Sequence, residues 1–293
     1  MRPASAGASA DGCVRRVSCW LAPVLFFLTA CSPAPSLRWD GEAGVGYDSN
    51  VNNAAQERRT LSSGVIVVGG TAEYARPLNP QTTLFTRGGL KAESYSRVDG
   101  LSNLKLSLLS RLLFRPADAF HAPSFSLWGS VAYAEFDSRL RDGGEYRFGA
   151  FLDKPLSTAL STRLSLSAAR RSADSRVFDG SSASAGLQLD WRLNSALLLY
   201  GGYQFRAGDV VSSSLPDMTL LGIAAARAPD DVFAAGDIAY RLDADTHVGT
   251  LGFNRALAAN LALDAQLQYI RSEAGEGIDY SRWIGLISLL KRF

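Results

Sequence analysis

Few side chains of this 293-residue chain could carry out catalytic or metal chemistry. The two histidines, His121 and His247, lie far apart in the sequence, so a site with several histidine ligands is excluded. A serine hydrolase needs a histidine beside its nucleophile and an orienting carboxylate, and only His247, just after Asp243 and Asp245, could serve. A lone histidine after a polar turn is more commonly just solvated. We therefore expect no enzyme and no cofactor.

The three cysteines, Cys13, Cys19 and Cys31, all belong to what is predicted to be an export signal. Two arginines precede the apolar run 19–28, which is too short to span a bilayer and typical of a signal-peptide core. The run ends in Leu28-Thr29-Ala30-Cys31, which resembles the lipobox of bacterial lipoproteins. That resemblance implies cleavage before Cys31 and lipid attachment to its thiol, and ordinary cleavage near residue 30 is the alternative. No disulfide or thiolate metal site can form later in the chain.

The composition excludes some partners and favours one kind of fold. The formal net charge is only +2, charged residues make up 20% of the chain and no basic stripe occurs, so we expect no nucleic-acid partner. Frequent glycine, at 27 residues, together with much serine, leucine and alanine indicates a chain rich in β-structure.

Beyond the leader, the chain divides into segments of about ten residues whose polarity alternates, as in the strands of transmembrane barrels. In the first segment Leu37, Trp39 and Tyr47 share one face, while Arg38 and Asp40 share the other. Fourteen such segments start near residues 37, 64, 82, 103, 124, 145, 160, 183, 196, 217, 232, 246, 261 and 280. The pattern predicts an all-β fold, a transmembrane antiparallel up-and-down barrel of about 14 strands.

The predicted domain order is a lipoprotein-type signal peptide at 1–30, a short linker at 31–36 and the barrel at 37–293. An even strand number returns both ends of the barrel to the periplasm, with short turns there and longer loops outside. The segment from Met218 to Ala226 could be a strand or part of a long folded loop, and the parity of the count favours a strand. A soluble β-sandwich alternates in the same way and is the alternative fold.

Two further features favour a membrane barrel. Aromatic residues lie near the predicted strand ends, as in the girdles at membrane interfaces: Trp39, Tyr47, Tyr74, Phe114, Trp191 and Tyr203. The chain ends in Phe293, and a terminal Phe that closes an amphipathic strand resembles the signal read by the barrel assembly machinery. We therefore expect outer-membrane lipid and that machinery as partners.

The polar faces of the segments predict a lumen that carries both signs of charge. The candidate lumen residues are Arg38, Asp40, Glu42, Arg87, Lys91, Arg111, Asp190, Arg206, Asp237, Arg241 and Asp264. Such charges can set the selectivity of an aqueous channel. Alternatively they neutralise one another across strands, for example Asp190 with Arg206, or Asp237 with a neighbouring arginine.

One run of residues carries a family resemblance. The first strand ends in Gly46-Tyr47-Asp48-Ser49-Asn50-Val51-Asn52-Asn53, whose Asp and Asn residues suit a tight exit from the membrane. The run is similar to the start of the barrel domain in surface lipoprotein assembly modifiers. The resemblance implies a fourteen-stranded barrel that moves lipoproteins to the cell surface. In that family a periplasmic helical-repeat domain precedes the barrel, and the few residues between Cys31 and the first strand leave no room for one.

These observations lead to four functional hypotheses. The first is an outer-membrane barrel that acts in translocation or export of a surface lipoprotein or a polysaccharide. The second is a passive, porin-like diffusion channel for small polar solutes. The others are a hydrolase that uses His247 and a barrel that is only an anchor.

Overall fold

The computed structural model describes residues 36–55, 59–116 and 119–293. The predicted signal peptide and Cys31 lie outside the described residues. Within them, strands account for most of the chain, since its runs of alternating apolar and polar residues suit the two faces of a pleated sheet. The strands are β1 (Ser36–Asp48), β2 (Ser63–Asn79), β3 (Thr82–Tyr95), β4 (Asn103–Phe114), β5 (Ser124–Phe136), β6 (Gly143–Pro155), β7 (Leu160–Ala173), β8 (Gly180–Arg192), β9 (Leu197–Ser214), β10 (Ala226–Pro229), β11 (Ile238–Ala258), β12 (Leu261–Ala274) and β13 (Ile278–Arg292).

Twelve of these strands close into an antiparallel barrel. Each strand from β1 to β8 pairs with the next, β9 pairs with β11, and β11 to β13 continue the sheet. Closure comes from β13 and β1, with Asp40 opposite Arg292 and Asp48 opposite Ile284. The short strand β10 pairs only with the start of β11 and lies outside the closed ring.

The predicted strand number of 14 is therefore wrong, although an even count is right. The eleventh and twelfth predicted segments belong to one strand, the 21-residue β11. The tenth is the helix α1 (Met218–Ile223) followed by β10. This segment folds as a helix because the Asp217 side chain caps the amides of Thr219 and Leu220, and because Leu220 is buried in a cluster with Tyr240.

The alternation of each strand divides an apolar outer wall from a polar lumen. Leu106, Leu166 and Leu251 point outward with 62%, 64% and 69% of their surface exposed. Exposed aromatic side chains lie near both ends of the wall, as in interfacial girdles. They include Trp39, Tyr74, Phe114, Phe125 and Trp191 near the chain termini, and Tyr47, Tyr133, Tyr146, Tyr203, Tyr269 and Trp283 near the opposite rim. No helix in the described part of the chain is both long enough and apolar enough to cross a bilayer.

The two ends of the barrel differ in their connections. At the end that holds both termini, side chains close the turns locally. Asn194 accepts hydrogen bonds from the amides of Ala196 and Leu197, and Asn79 accepts one from Gln81. The opposite rim carries the connections 49–62, 96–102, 137–142, 174–179, 215–237 and 275–277. Barrels of the outer membrane place short turns in the periplasm and long loops outside, so this rim is the outer one.

Two strands continue beyond the outer rim and form a separate structure. The β8 ladder on β9 ends at Gly208, yet β9 and β11 stay paired up to Ser214 and Ile238. Gly208 has φ +136°, a conformation that side-chain-bearing residues rarely adopt, so a glycine suits the point where β9 leaves β8. We call residues 209–243, which include α1 and β10, the lid.

Candidate functional site: the lumen and its outer closure

Charged side chains fill the lumen at the periplasmic end. Glu73 is only 5% exposed and accepts hydrogen bonds from Arg87, with Arg38 also 3.9 Å away. Asp40, 8% exposed, lies 3.2 Å from the Nε of Arg292. Because these buried carboxylates each face a guanidinium, the alternative of mutual neutralisation holds in this part of the lumen.

Aromatic rings complete the same layer. The guanidinium of Arg111 lies 4.5 Å from the ring centre of Phe85, and that of Arg163 lies 4.8 Å from Phe151. Trp128 stacks on Phe151 with 5.6 Å between the ring centres. The periplasmic third of the barrel thus contains a layer of interlocked side chains, which we call the floor.

Above the floor the side chains fill the lumen less completely. Gln204 and Arg147 face inward by register, yet Gln204 is exposed and the Arg147 side chain has 49% of its surface exposed. The Lys105 side chain, also inward, is 34% exposed. Since these inward-facing polar side chains are only partly covered, we call this middle part of the lumen the chamber.

The lid closes the chamber at the outer rim through a buried ion pair. The Nη2 of Arg141, in the 137–142 connection, donates to both carboxylate oxygens of Asp230 in the lid, at 3.0 and 2.8 Å. Their side chains are 7% and 0% exposed. The guanidinium also lies 4.2 Å from the ring centre of Phe178, which belongs to the next connection. A charge buried this deeply is stable only while its partner is in place.

The lid also contacts the remaining outer loops. At the base of the lid, the amide of Ser181 at the start of β8 donates to Asp209, 2.7 Å away. On one side, an added Cβ at Gly100 in the 96–102 connection would lie 2.7 Å from Val232. On the other side, Tyr240 packs in a buried cluster with Tyr280 of β13. A segment that reaches every loop around the rim must cross the opening, so the lid covers the mouth of the barrel.

The run Gly46–Asn53 joins this closure at the first outer loop. Asp48 forms an ion pair with Arg282 at 2.5 Å, and Asn50 is buried with its side chain bonded to the backbone of Ala54. Asn52 and Asn53 donate to lid carbonyls, those of Ser213 at 3.1 Å and Val211 at 3.0 Å. The side chains of this run therefore hold the rim and the lid together.

Most of the candidate lumen residues face the lumen. The exceptions are Asp237 and Arg241, whose assignment to the lumen is wrong because both lie in the lid. Asp237 accepts a hydrogen bond from the Ala234 amide in a lid turn, and Arg241 donates to the carbonyl of Arg176. The remaining candidates line the inner wall by register: Arg38, Asp40, Glu42, Arg87, Lys91, Arg111, Asp190, Arg206 and Asp264.

The predicted pair of Asp190 and Arg206 is not formed. Asp190 lies opposite Tyr200, six positions along β9 from Arg206, and accepts a hydrogen bond from Gln188 at 2.8 Å. The contact between Arg141 and Asp230 was not predicted from the sequence either. Because these two residues are 89 positions apart and both lie in connections, strand periodicity holds no signal for their contact.

The structure places His247 beside Tyr203 and Phe205. By register it points to the outer wall of β11, where its Nδ1 is 2.7 Å from the hydroxyl of Tyr203. The ring of Phe205 lies 5.4 Å away. His121 lies in the periplasmic connection between β4 and β5, with its ring 4.8 Å from that of Phe120.

An outer membrane channel of known structure shares this fold. No family model and no curated protein matches the chain. An outer membrane channel from Pseudomonas putida F1 has a TM-score of 0.55 at 14% identity, covering 87% of this chain and 95% of that one. The transport unit of the autotransporter AIDA-I from Escherichia coli has a TM-score of 0.46 at 11% identity, with 92% and 93% covered. The translocator domain of the autotransporter NalP from Neisseria meningitidis has 0.41 at 13%, with 88% of each covered.

The chain is an outer-membrane β-barrel. The shared fold and the apolar outer wall with two aromatic girdles together support this location. Twelve closed strands differ from the fourteen that the likeness to surface lipoprotein assembly modifiers implies, and membership of that family stays a prediction. Recognition of Phe293 by the assembly machinery also stays a prediction. In the folded chain Phe293 is 75% exposed, and its amide donates to Trp39.

Proposed function

We propose that this barrel is a gated channel for small hydrophilic solutes. The observation that carries the proposal is the chamber, whose inward-facing charged side chains are only partly covered and whose mouth the lid covers. A barrel that served only as an anchor would need no polar chamber. Rings of charge in such a space select among solutes, and a segment that covers the mouth must move before they enter.

The floor argues for small solutes rather than for folded cargo. Its carboxylates and guanidinium groups are paired and buried, so a wide passage would require the separation of several ion pairs. Small polar molecules need only side-chain rearrangements. Export of a surface lipoprotein or a polysaccharide, which the rim motif favours, instead requires a partner that displaces both the floor and the lid.

The proposed channel has no catalytic role. His247, the only candidate, is bonded to Tyr203 on the outward-facing wall and lies outside the chamber. Replacement of His247 by Ala should therefore leave conductance and selectivity unchanged.

Bilayer recordings test the channel, with Arg141→Ala as the variant that releases the lid. Loss of one partner from a buried ion pair costs about 3 kcal/mol or more, so the open-lid population should rise about a hundredfold. Arg139→Ala removes an exposed arginine from the same connection, away from Asp230, and should behave as the wild type. The absence of current at every voltage, in both the wild type and Arg141→Ala, would refute the channel. Current only in the presence of an exported lipoprotein or polysaccharide would favour export.

A further inference from the structure

Arg206 is an inward-facing arginine in the chamber. Its register partners are Ser184 on β8 and Thr246 on β11. Because Thr246 is fully buried, this face of the sheet points into the lumen. Among the residues that the structure describes, its guanidinium forms no hydrogen bond and no ion pair. The charges close enough to act on it include the cations Arg147 and Arg282 and the carboxylate of Glu145.

The carboxylate near Arg206 is already occupied by other cations. Glu145 accepts a hydrogen bond from Arg147 at 2.7 Å and one from Lys105 at 3.4 Å. Arg282, in turn, is tied to Asp48 at the rim. One carboxylate therefore faces four cations in this part of the chamber, Lys105, Arg147, Arg171 and Arg206, and the excess of positive charge attracts an anion.

Small hydroxyl residues separate the two arginines. Along the ladder, Gly149 beside Arg147 pairs with Ser167, Ser167 pairs with Ser184, and Ser184 pairs with Arg206. The hydroxyls of Ser167 and Ser184 are 2.8 Å apart. Three strand spacings put the β6 and β9 backbones about 14 Å apart along the wall. The side chain of Gln204 on β9 also reaches this space and donates to the Ser184 hydroxyl at 2.9 Å. We call this space the arginine cleft.

We propose that the arginine cleft binds the carboxylate or phosphate group of a small organic anion, which makes such anions the solute class of the proposed channel. Guanidinium groups bind these oxyanions through two parallel hydrogen bonds, and the serine hydroxyl that does not donate within the Ser167–Ser184 pair can donate a further one. Since Arg206 and Arg147 lie on either side of the cleft, a solute with two or three anionic groups would engage both. The inference rests on the proposed channel for its biological role.

Equilibrium dialysis of the folded, detergent-solubilised mature chain against radiolabelled citrate and, separately, inorganic phosphate tests the site. We expect saturable binding of at least one probe to the wild type and to Arg206→Lys. Arg206→Gln should weaken the binding strongly. Arg170→Gln, which removes an exposed arginine from the outer face of β7, should not. Binding of citrate alone would assign carboxylates, and binding of phosphate alone would assign phosphates.

Reversal potentials in a salt gradient provide the second measurement. One fewer charge several ångströms from the ion path should lower the preference for chloride over potassium about twofold in Arg206→Gln. Binding of neither probe by the wild type, or equal binding by Arg206→Gln, would overturn the cleft while leaving any observed current intact. Binding that depends on Arg206 without current in any variant would instead refute the channel and leave the site.

Discussion

Asn52 links two parts of the barrel that are far apart in the sequence. Its amide group donates to the carbonyls of Arg59 in the first outer loop and Ser213 in the lid, and its side-chain oxygen accepts from the Leu61 amide. The residue is 4% exposed, so water cannot replace these partners. Asparagine fits here because one short side chain offers both donors and an acceptor.

We expect Asn52→Ala to loosen the lid without unfolding the barrel. Each buried backbone group that loses its partner costs about 1–3 kcal/mol, and three bonds are removed together. Hydrogen exchange should accelerate in residues 49–62 and 209–214 and stay slow in the middle of the strands.

Asn260→Ala is the control for this variant. It removes an exposed side-chain bond at the periplasmic end and should leave the lid protected. Equal protection of the lid in the wild type and Asn52→Ala would show that Asn52 does not hold it.

At the scale of elements, periodicity predicted the strands of the barrel but not the lid. Alternation is imposed by lipid on one side and water on the other, so it is readable wherever a strand spans the membrane. Beyond the rim this constraint ends. The start of β11 carries Asp243 and Asp245, residue types that are common in turns. Because of them, two strands were predicted where the structure has one. The small residues of α1 and β10 alternate by chance and resemble a strand.

The candidate site was predictable only in part, for the same reason. Inward positions such as Arg147 and Arg206 follow from alternation along a strand. The unpaired state of Arg206 depends on register, because the neighbour of each side chain is set by which residues lie opposite. The contacts of Arg141 depend on how a connection folds over the mouth, and no short-range pattern encodes that.

Gly208 is the element-scale position whose change should disturb the lid. An added Cβ would lie 2.2 Å from the Ser181 carbonyl oxygen, and φ +136° is strained for any other residue. In Gly208→Ala we expect β9 to separate from β8 near the rim, with a cost of about 1–3 kcal/mol. Protease accessibility of the lid should increase.

The matched variant for this change is Gly249→Ala on β11. An added Cβ there meets no atom within 4 Å, so lid protection should not change. An unaltered lid in Gly208→Ala would show that β9 does not need this glycine in order to leave the barrel.

At the scale of the whole molecule, closure of the sheet creates both an enclosed lumen and an outer face that can contact lipid. The β1–β13 ladder leaves no open edge in the ring, so every strand can satisfy its backbone groups in lipid. The floor and the lid then seal the two ends of a space that the wall encloses. The charged side chains of the chamber lie between these two seals and away from lipid. The lumen can therefore hold polar groups while the outer wall stays apolar.

The depth dependence of a charge on the outer wall tests this arrangement. Leu108 is exposed near the middle of β4, and Phe114 is exposed at the end of the same strand. If the wall faces lipid, Leu108→Arg should lower the free energy of unfolding in vesicles by about 2–4 kcal/mol, and Phe114→Arg by about 0–1 kcal/mol. Urea titrations of the vesicle-inserted chain measure both values. Equal costs at the two depths would mean that hydrocarbon does not surround the strands, because only a bilayer makes the penalty fall from its centre toward its surface.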